Sequence, residues 1–173
     1  MPETLCHISV AGNMEPETNL PRALELLREQ TALLAVSTFY RTPALDRPEQ
    51  PDYLNGAVMA RFDGDARTLK FGVLRVLEGK MGRMRTDDRY AARTVDLDLL
   101  LFGEAIIVED GLVLPDPDLW RRPFVAAAVL ELDPDLVVPG TGKPLRELAD
   151  MEAVARLEPA REFTRAMLER LGL

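Results

Sequence analysis

The 173-residue sequence is poor in the side chains that most metal and redox chemistry needs. It has one cysteine, Cys6, and one histidine, His7. A single cysteine excludes an internal disulfide and any multi-cysteine metal site. A single histidine argues against zinc chemistry and histidine-based acid/base catalysis. No apolar run is long enough to cross a bilayer, and the Met1-Pro2-Glu3-Thr4-Leu5 start lacks the basic and apolar segments of a secretory leader. Basic residues are outnumbered, 21 against 29 acidic, giving a net charge of −8 and a pI near 4.8. That balance argues against a general nucleic-acid or anionic-membrane binder, while leaving room for a small local basic patch. There is no internal repeat, no low-complexity tract and no Gly-x-x-x-x-Gly-Lys-Ser/Thr phosphate loop. What remains is 47% hydrophobic and 29% charged. Such a composition suits one globular domain spanning 1–173 and a cytoplasmic protein.

Periodicity gives an order of elements. Cys6 to Val10 reads as a strand closed by Ala11-Gly12-Asn13. A helix is expected from about Thr18 or Asn19, with Pro21 in its first turn and Leu20, Ala23, Leu24 and Leu27 on one face. Leu34 to Arg41 reads as a strand. Thr42 to Asp52, with Pro43, Pro48 and Pro51, reads as an irregular loop. Tyr53 to Phe62 is the next strand. A helix over Ala66 to Lys80 should bury Leu69, Val73, Val76 and Leu77. Residues 82–92 read as a polar loop, and Thr94 to Phe102 as a strand. Short strands are expected at Ile106–Val108 and Leu112–Leu114, a helix over Leu119–Leu132, and terminal helices with Phe163, Met167, Leu168 and Leu171 as one apolar face. The order β-α-β-β-α-β predicts an α+β fold, a ferredoxin-like sandwich with a central antiparallel sheet and helices packed on it.

Two features carry chemistry. Asp96 and Asp98 alternate inside the apolar Val95-Asp96-Leu97-Asp98-Leu99, so both carboxylates leave one face of a strand, with Cα atoms about 6.5–7 Å apart. Like charges in apolar surroundings repel and lose hydration, a conflict that a divalent cation with a preference for hard oxygens resolves. The pair equally fits a strand with a solvated face. The second feature is an arginine-dense segment: Lys80, Arg83, Arg85, Arg89 and Arg93 precede the carboxylate strand. Arginine forks match phosphate oxygens, although charge runs are also commonly solvated loops. Arginines beside paired carboxylates are the components of phosphoryl-type transfer.

The motifs around these features resemble a known family, the 6-hydroxymethyl-7,8-dihydropterin pyrophosphokinases of folate biosynthesis. Arg93-Thr94-Val95-Asp96-Leu97-Asp98 resembles the family's Arg-Thr-x-Asp-x-Asp strand. Tyr40-Arg41-Thr42-Pro43, Gln50 to Val58, Gly82-Arg83-Met84-Arg85 and Arg121-Arg122-Pro123-Phe124-Val125 fit in order and spacing. The resemblance covers residues 6 to 150. It implies transfer of the β,γ-pyrophosphoryl group of ATP, as co-substrate, to the hydroxymethyl oxygen of a reduced pterin, with release of AMP. It implies two Mg²⁺ ions on Asp96 and Asp98, and Arg83 and Arg93 as catalytic charge on the transferring group. It implies a pterin site of Thr42, Pro43, Leu45, Tyr53, Asn55, Tyr90 and Phe124. It implies nucleotide contacts from Arg85, Leu99, Leu112, Asp116 and Arg122. The expected partners are the pterin and ATP, with neither nucleic acid nor membrane, in a monomer or weak homodimer.

The chain departs from the family pattern in four places. Ala11-Gly12-Asn13 stands where Gly-Ser-Asn is usual. Tyr90 stands where a loop tryptophan closes over the pterin, and Ala91-Ala92 replaces Gly-Pro after it. Val113 and Asp116 replace a Thr and a His that serve the nucleotide phosphates, and Asp118 adds an acid. A carboxylate facing a triphosphate repels it unless a cation intervenes. Asp116 can therefore be read as a cation ligand, as a residue turned to solvent, or as the mark of a non-catalytic pterin-binding relative or a transferase with another donor or pterin.

Overall fold

Thr4–Gly12 forms β1, and β4 (Tyr53–Phe62) and β5 (Asp96–Phe102) pair with it on either side, both antiparallel. The computed structural model describes residues 2–83 and 86–173. Beyond β4 lie β2 (Ala32–Val36) and β3 (Tyr40–Thr42), each antiparallel to a different stretch of it, and β10 (Glu158–Pro159) pairs with β3. The sheet order is thus β10-β3-β4-β1-β5, with β2 also on β4. The fold is α+β with an antiparallel sheet. Two small ladders stand apart: β6 (Ile107–Glu109) with β7 (Leu112–Leu114), and β8 (Val137–Val138) with β9 (Lys143–Pro144).

Alternation along the strands builds two apolar layers. Cys6, Ile8 and Val10 of β1, Leu54 and Val58 of β4, and Leu97 and Leu99 of β5 face one way. They pack with Leu20, Leu24 and Leu27 of α1 (Pro16–Arg28) and with Met167 and Leu171 of α7 (Arg161–Leu171). Leu69, Leu74 and Leu77 of helix α2 (residues 68–80) join them. The other face carries Ala57 and Leu100, which pack with Leu119 of α3 (Asp118–Arg121) and with Val125, Ala128 and Val129 of α4 (Pro123–Leu132). Two short helices, α5 (Leu145–Leu148) and α6 (Met151–Ala155), complete the chain.

Several boundaries differ from the sequence expectation, each for a local reason. α1 starts two residues early because Pro16, in the first turn, suits a helix start, and Pro21 consequently lies inside the helix. The strand expected over 34–41 is cut in two at Ser37–Phe39. There the Ser37 hydroxyl accepts from Ala57 N (2.9 Å), Thr38 N turns to the Glu131 carboxylate and Phe39 N to the Thr164 hydroxyl (2.9 Å). The helix expected over 119–132 breaks at Arg122, whose extended backbone is what a residue preceding proline adopts. The largest change is in α2, which runs as a π-helix over Thr68–Leu74 and as an α-helix over Arg75–Lys80. The wider turn slips the inward face by one residue. Leu74 and Glu78 are buried, whereas Val76, expected inside, is exposed.

Candidate active site

The floor of the site comes from the strand face opposite α1 and α2. Ser9 and Ala11 on β1, Asn55 on β4, and Asp96 and Asp98 on β5 line a cavity of about 390 Å³. Its walls are loops: Thr42 to Leu45 on one side, Arg89, Tyr90 and Arg93 on another, with Asp118, Arg122 and Phe124 from the α3–α4 corner. The expected pterin set, Thr42, Pro43, Leu45, Tyr53, Asn55, Tyr90 and Phe124, lies around this one cavity, with Arg93, Asp96, Asp98 and Arg122. Asn55, 5% exposed, donates through Nδ2 to Thr42 Oγ1 at 2.8 Å, so its carbonyl oxygen is left for another partner.

The loops over the cavity are tied by Asn13, which is fully buried. Its Oδ1 accepts from Arg93 N (2.9 Å), while Nδ2 donates to Gln50 Oε1 (3.0 Å) and Pro51 O (3.2 Å). Gln50 Nε2 donates in turn to Tyr90 O (2.9 Å), and Arg47 reaches Asp88 at 2.6 Å. The replacement at Gly12 has a steric basis: a Cβ there would lie 2.6 Å from Thr94 O. Ala11, the other altered position, pairs with Asp96 across β1 and β5.

The two carboxylates are in different electrostatic states. Burial alone would raise the Asp96 carboxyl, but Arg83 and Arg93 both hydrogen-bond it and hold it below the usual carboxylate range. Asp98 is pushed up to about 6, first by burial and then by the neighbouring Asp96 charge, with Asp116 and Glu78 adding to it. Its cationic partner is Arg75, at 3.6 Å. Asp96 and Asp98 could therefore hold a hard cation. Among the described residues no cluster of three or more His, Cys, Asp or Glu gathers for one, so the remaining oxygens would come from substrate or water.

Other expected site residues sit elsewhere. Leu99 and Leu112 are fully buried in the core, so their side chains do not reach the cavity. Arg83 stands behind Asp96 rather than on the wall. Asp116 is used locally: its Oδ1 accepts from Asp118 N (2.9 Å) at the start of α3. Burial raises its carboxyl, and the Asp118 N–H first, then Lys70 and Arg122, partly offset that. Arg122 pairs with Asp118 at 2.9 Å. Val113 is on the exposed side of β7, opposite Val108. Arg85 lies outside the described residues. Sequence reasoning missed Glu78 and Arg75, because only the π-helical turn brings Glu78 inward against the carboxylate strand.

Comparison with known proteins decides what this arrangement belongs to. The family model for 7,8-dihydro-6-hydroxymethylpterin-pyrophosphokinase matches residues 7–134. The chain belongs to that family. A 2-amino-4-hydroxy-6-hydroxymethyldihydropteridine pyrophosphokinase of Synechocystis is 35% identical over 171 residues, covering 91% of this chain and 84% of the relative. Proteins of the same name from Pseudomonas aeruginosa and Haemophilus influenzae are each 34% identical. The first covers 89% of this chain and 97% of the relative, the second 78% and 85%. Within the family region lie all the cavity-lining residues named above, from Ser9 to Phe124.

Proposed function

We propose that the cavity seats a reduced pterin against Phe124 and Tyr53, with ATP entering over Asp96 and Asp98. The reaction is that of the family: pyrophosphate passes from ATP to the hydroxymethyl group of 6-hydroxymethyl-7,8-dihydropterin, a step of folate synthesis. The observation that carries this reading is the meeting of an aromatic-walled pocket and an aspartate pair in one cavity, of a size suited to a small flat ligand. The Asn55–Thr42 pair supplies polar groups for a pterin edge, and Tyr90, with the Arg89 guanidinium 5.2 Å from its ring centre, covers the opening in place of the usual tryptophan. The sheet order supports the ferredoxin-like sandwich, since β5-β1-β4 with β2 and β3 outside is the arrangement that two β-α-β units produce when interleaved.

The donor set fits Mg²⁺. Two carboxylates leave one strand face together, and Asp98, raised first by burial and then by the Asp96 charge, is a site where an added cation would favour the ionised form. Bound there with ATP, the ion would neutralise triphosphate charge. The rest falls to side chains. Arg93 and Arg122 on the wall are placed to bind phosphoryl oxygens, and the tied loops fix the pterin hydroxymethyl group and exclude water. Such a reaction gains from positioning and electrostatics more than from a dedicated base. Calorimetry with the pterin and with a non-hydrolysable ATP analogue, each with and without Mg²⁺, tests the reading. Both ligands should bind, the nucleotide only with Mg²⁺. Binding of the pterin alone would defeat it.

A further inference from the structure

Glu78 is a carboxylate that lies behind the aspartate pair, outside the cavity lining, with 2% of its surface exposed. Its Oε1 accepts from Arg83 Nη1 at 2.6 Å, from Arg75 Nη1 at 3.0 Å and from Leu97 N at 2.8 Å. Leu97 lies between the two aspartates on β5, at the sheet edge, and its N–H points to Glu78. The same Arg83 nitrogen that meets Glu78 also hydrogen-bonds Asp96. Arg75 extends the network to Leu97 O (3.3 Å) and Asp98 (3.6 Å). One buried carboxylate therefore touches both arginines that contact the aspartate pair from behind, and the backbone between the two aspartates.

We propose that Glu78 is a positioning residue for pyrophosphoryl transfer, acting through Arg83. Asp96 cannot hold Arg83 and Arg93 tightly and also serve a metal-bound triphosphate. Glu78 is turned away from the cavity and is not a competitor for that cation, so it keeps Arg83 anchored when Asp96 takes another partner. Without the Glu78 charge, Arg83 would answer to Asp96 alone and hold it against the incoming nucleotide. A buried arginine deprived of one carboxylate binds the other more strongly, because no water is there to share the charge.

The inference rests on the function proposed above, and a double-mutant cycle separates the two. Glu78→Gln keeps an acceptor for Leu97 N but removes the charge; Glu78→Asp keeps the charge and shortens the reach. Each is made alone and with Arg83→Ala, and each is measured for kcat, KM and Mg²⁺-dependent affinity for a non-hydrolysable ATP analogue by calorimetry. Glu78→Gln should lower kcat by a hundredfold or more and weaken the Mg²⁺–analogue complex by tenfold or more. Pterin affinity should stay within about threefold. In the Arg83→Ala background the Glu78 changes should add little further loss, since a residue acting through another has nothing left to act on. Losses that multiply in full overturn the proposal. So does unchanged analogue affinity in a folded Glu78→Gln protein, the behaviour of a merely structural carboxylate. If Glu78→Gln does not fold, the Glu78→Asp cycle decides by the same criterion. A parent that binds the analogue without turnover defeats the proposed reaction, and the calorimetric cycle then judges Glu78 by itself.

Discussion

Asn13 and Arg93 hold each other by reciprocal bonds: Arg93 N donates to Asn13 Oδ1 at 2.9 Å, and Asn13 N donates to Arg93 O at 3.0 Å. The turn after β1 is thereby fastened to the entrance of the carboxylate strand. Through its Nδ2 the same side chain fastens the Pro-rich loop as well.

Asn13→Asp tests that arrangement. An aspartate matches the shape but offers no N–H to Gln50 Oε1 or Pro51 O, both of which are acceptors here. The variant should lose about 1–3 kcal/mol of stability, seen in thermal melting, and bind pterin more weakly because its two covering loops separate. Pterin affinity equal to the parent's would show that the loops close without this tie.

Asp98 gives a pH prediction with a definite sign. Its carboxyl is raised from 3.8 to about 6 in the folded protein, so its ionisation opposes folding. Its contribution to stability is fully present at low pH and is lost as pH rises through about 6. Asp98→Asn removes that loss. The variant should gain on the parent between pH 4 and 7 by on the order of 1 kcal/mol, a figure reduced for solvent screening because the side chain is 37% exposed. Its turnover should nevertheless fall by several orders of magnitude, because the proposed cation ligand is gone. Denaturant melts at a series of pH values check the first statement; a pH-independent difference contradicts it.

Phe124→Ala removes one aromatic wall of the cavity. Pterin binding should weaken by about 1–3 kcal/mol, the range for a stacked ring, with nucleotide affinity nearly unchanged. Phe124 also packs beside the apolar cluster around α4, so a melting curve belongs with the titration. A folded variant with undiminished pterin affinity rules out the stacking role.

Asp116→Asn keeps an oxygen for Asp118 N and removes a charge that adds to the rise of Asp98, after burial and Asp96. The Mg²⁺–ATP analogue should bind severalfold tighter in a titration at fixed ionic strength. Weaker binding would instead make Asp116 a cation ligand.

Much of this protein is determined by its sequence alone. Strand alternation put Asp96 and Asp98 on one face, because a strand's side-chain period is two whatever surrounds it. The limits of β4 and β7 follow from local pattern in the same way. The motif around Arg93 to Asp98 points to the family that the comparisons establish. What only the tertiary structure decided concerns groups whose partners are far along the chain. Ser37–Phe39 leaves the sheet because Ala57, Glu131 and Thr164 capture its polar groups. Leu99 sits in the core because helices cover that face of the sheet, and Leu112 because its hairpin packs into the same apolar cluster. Glu78 turns inward because a π-helical turn shifts the face of α2 by one residue, a displacement that regular 3.6-residue counting cannot contain. The contrast between a low Asp96 and a high Asp98, two residues apart, arises only once folding places Arg83 and Arg93 on the one and leaves the other buried beside the Asp96 charge.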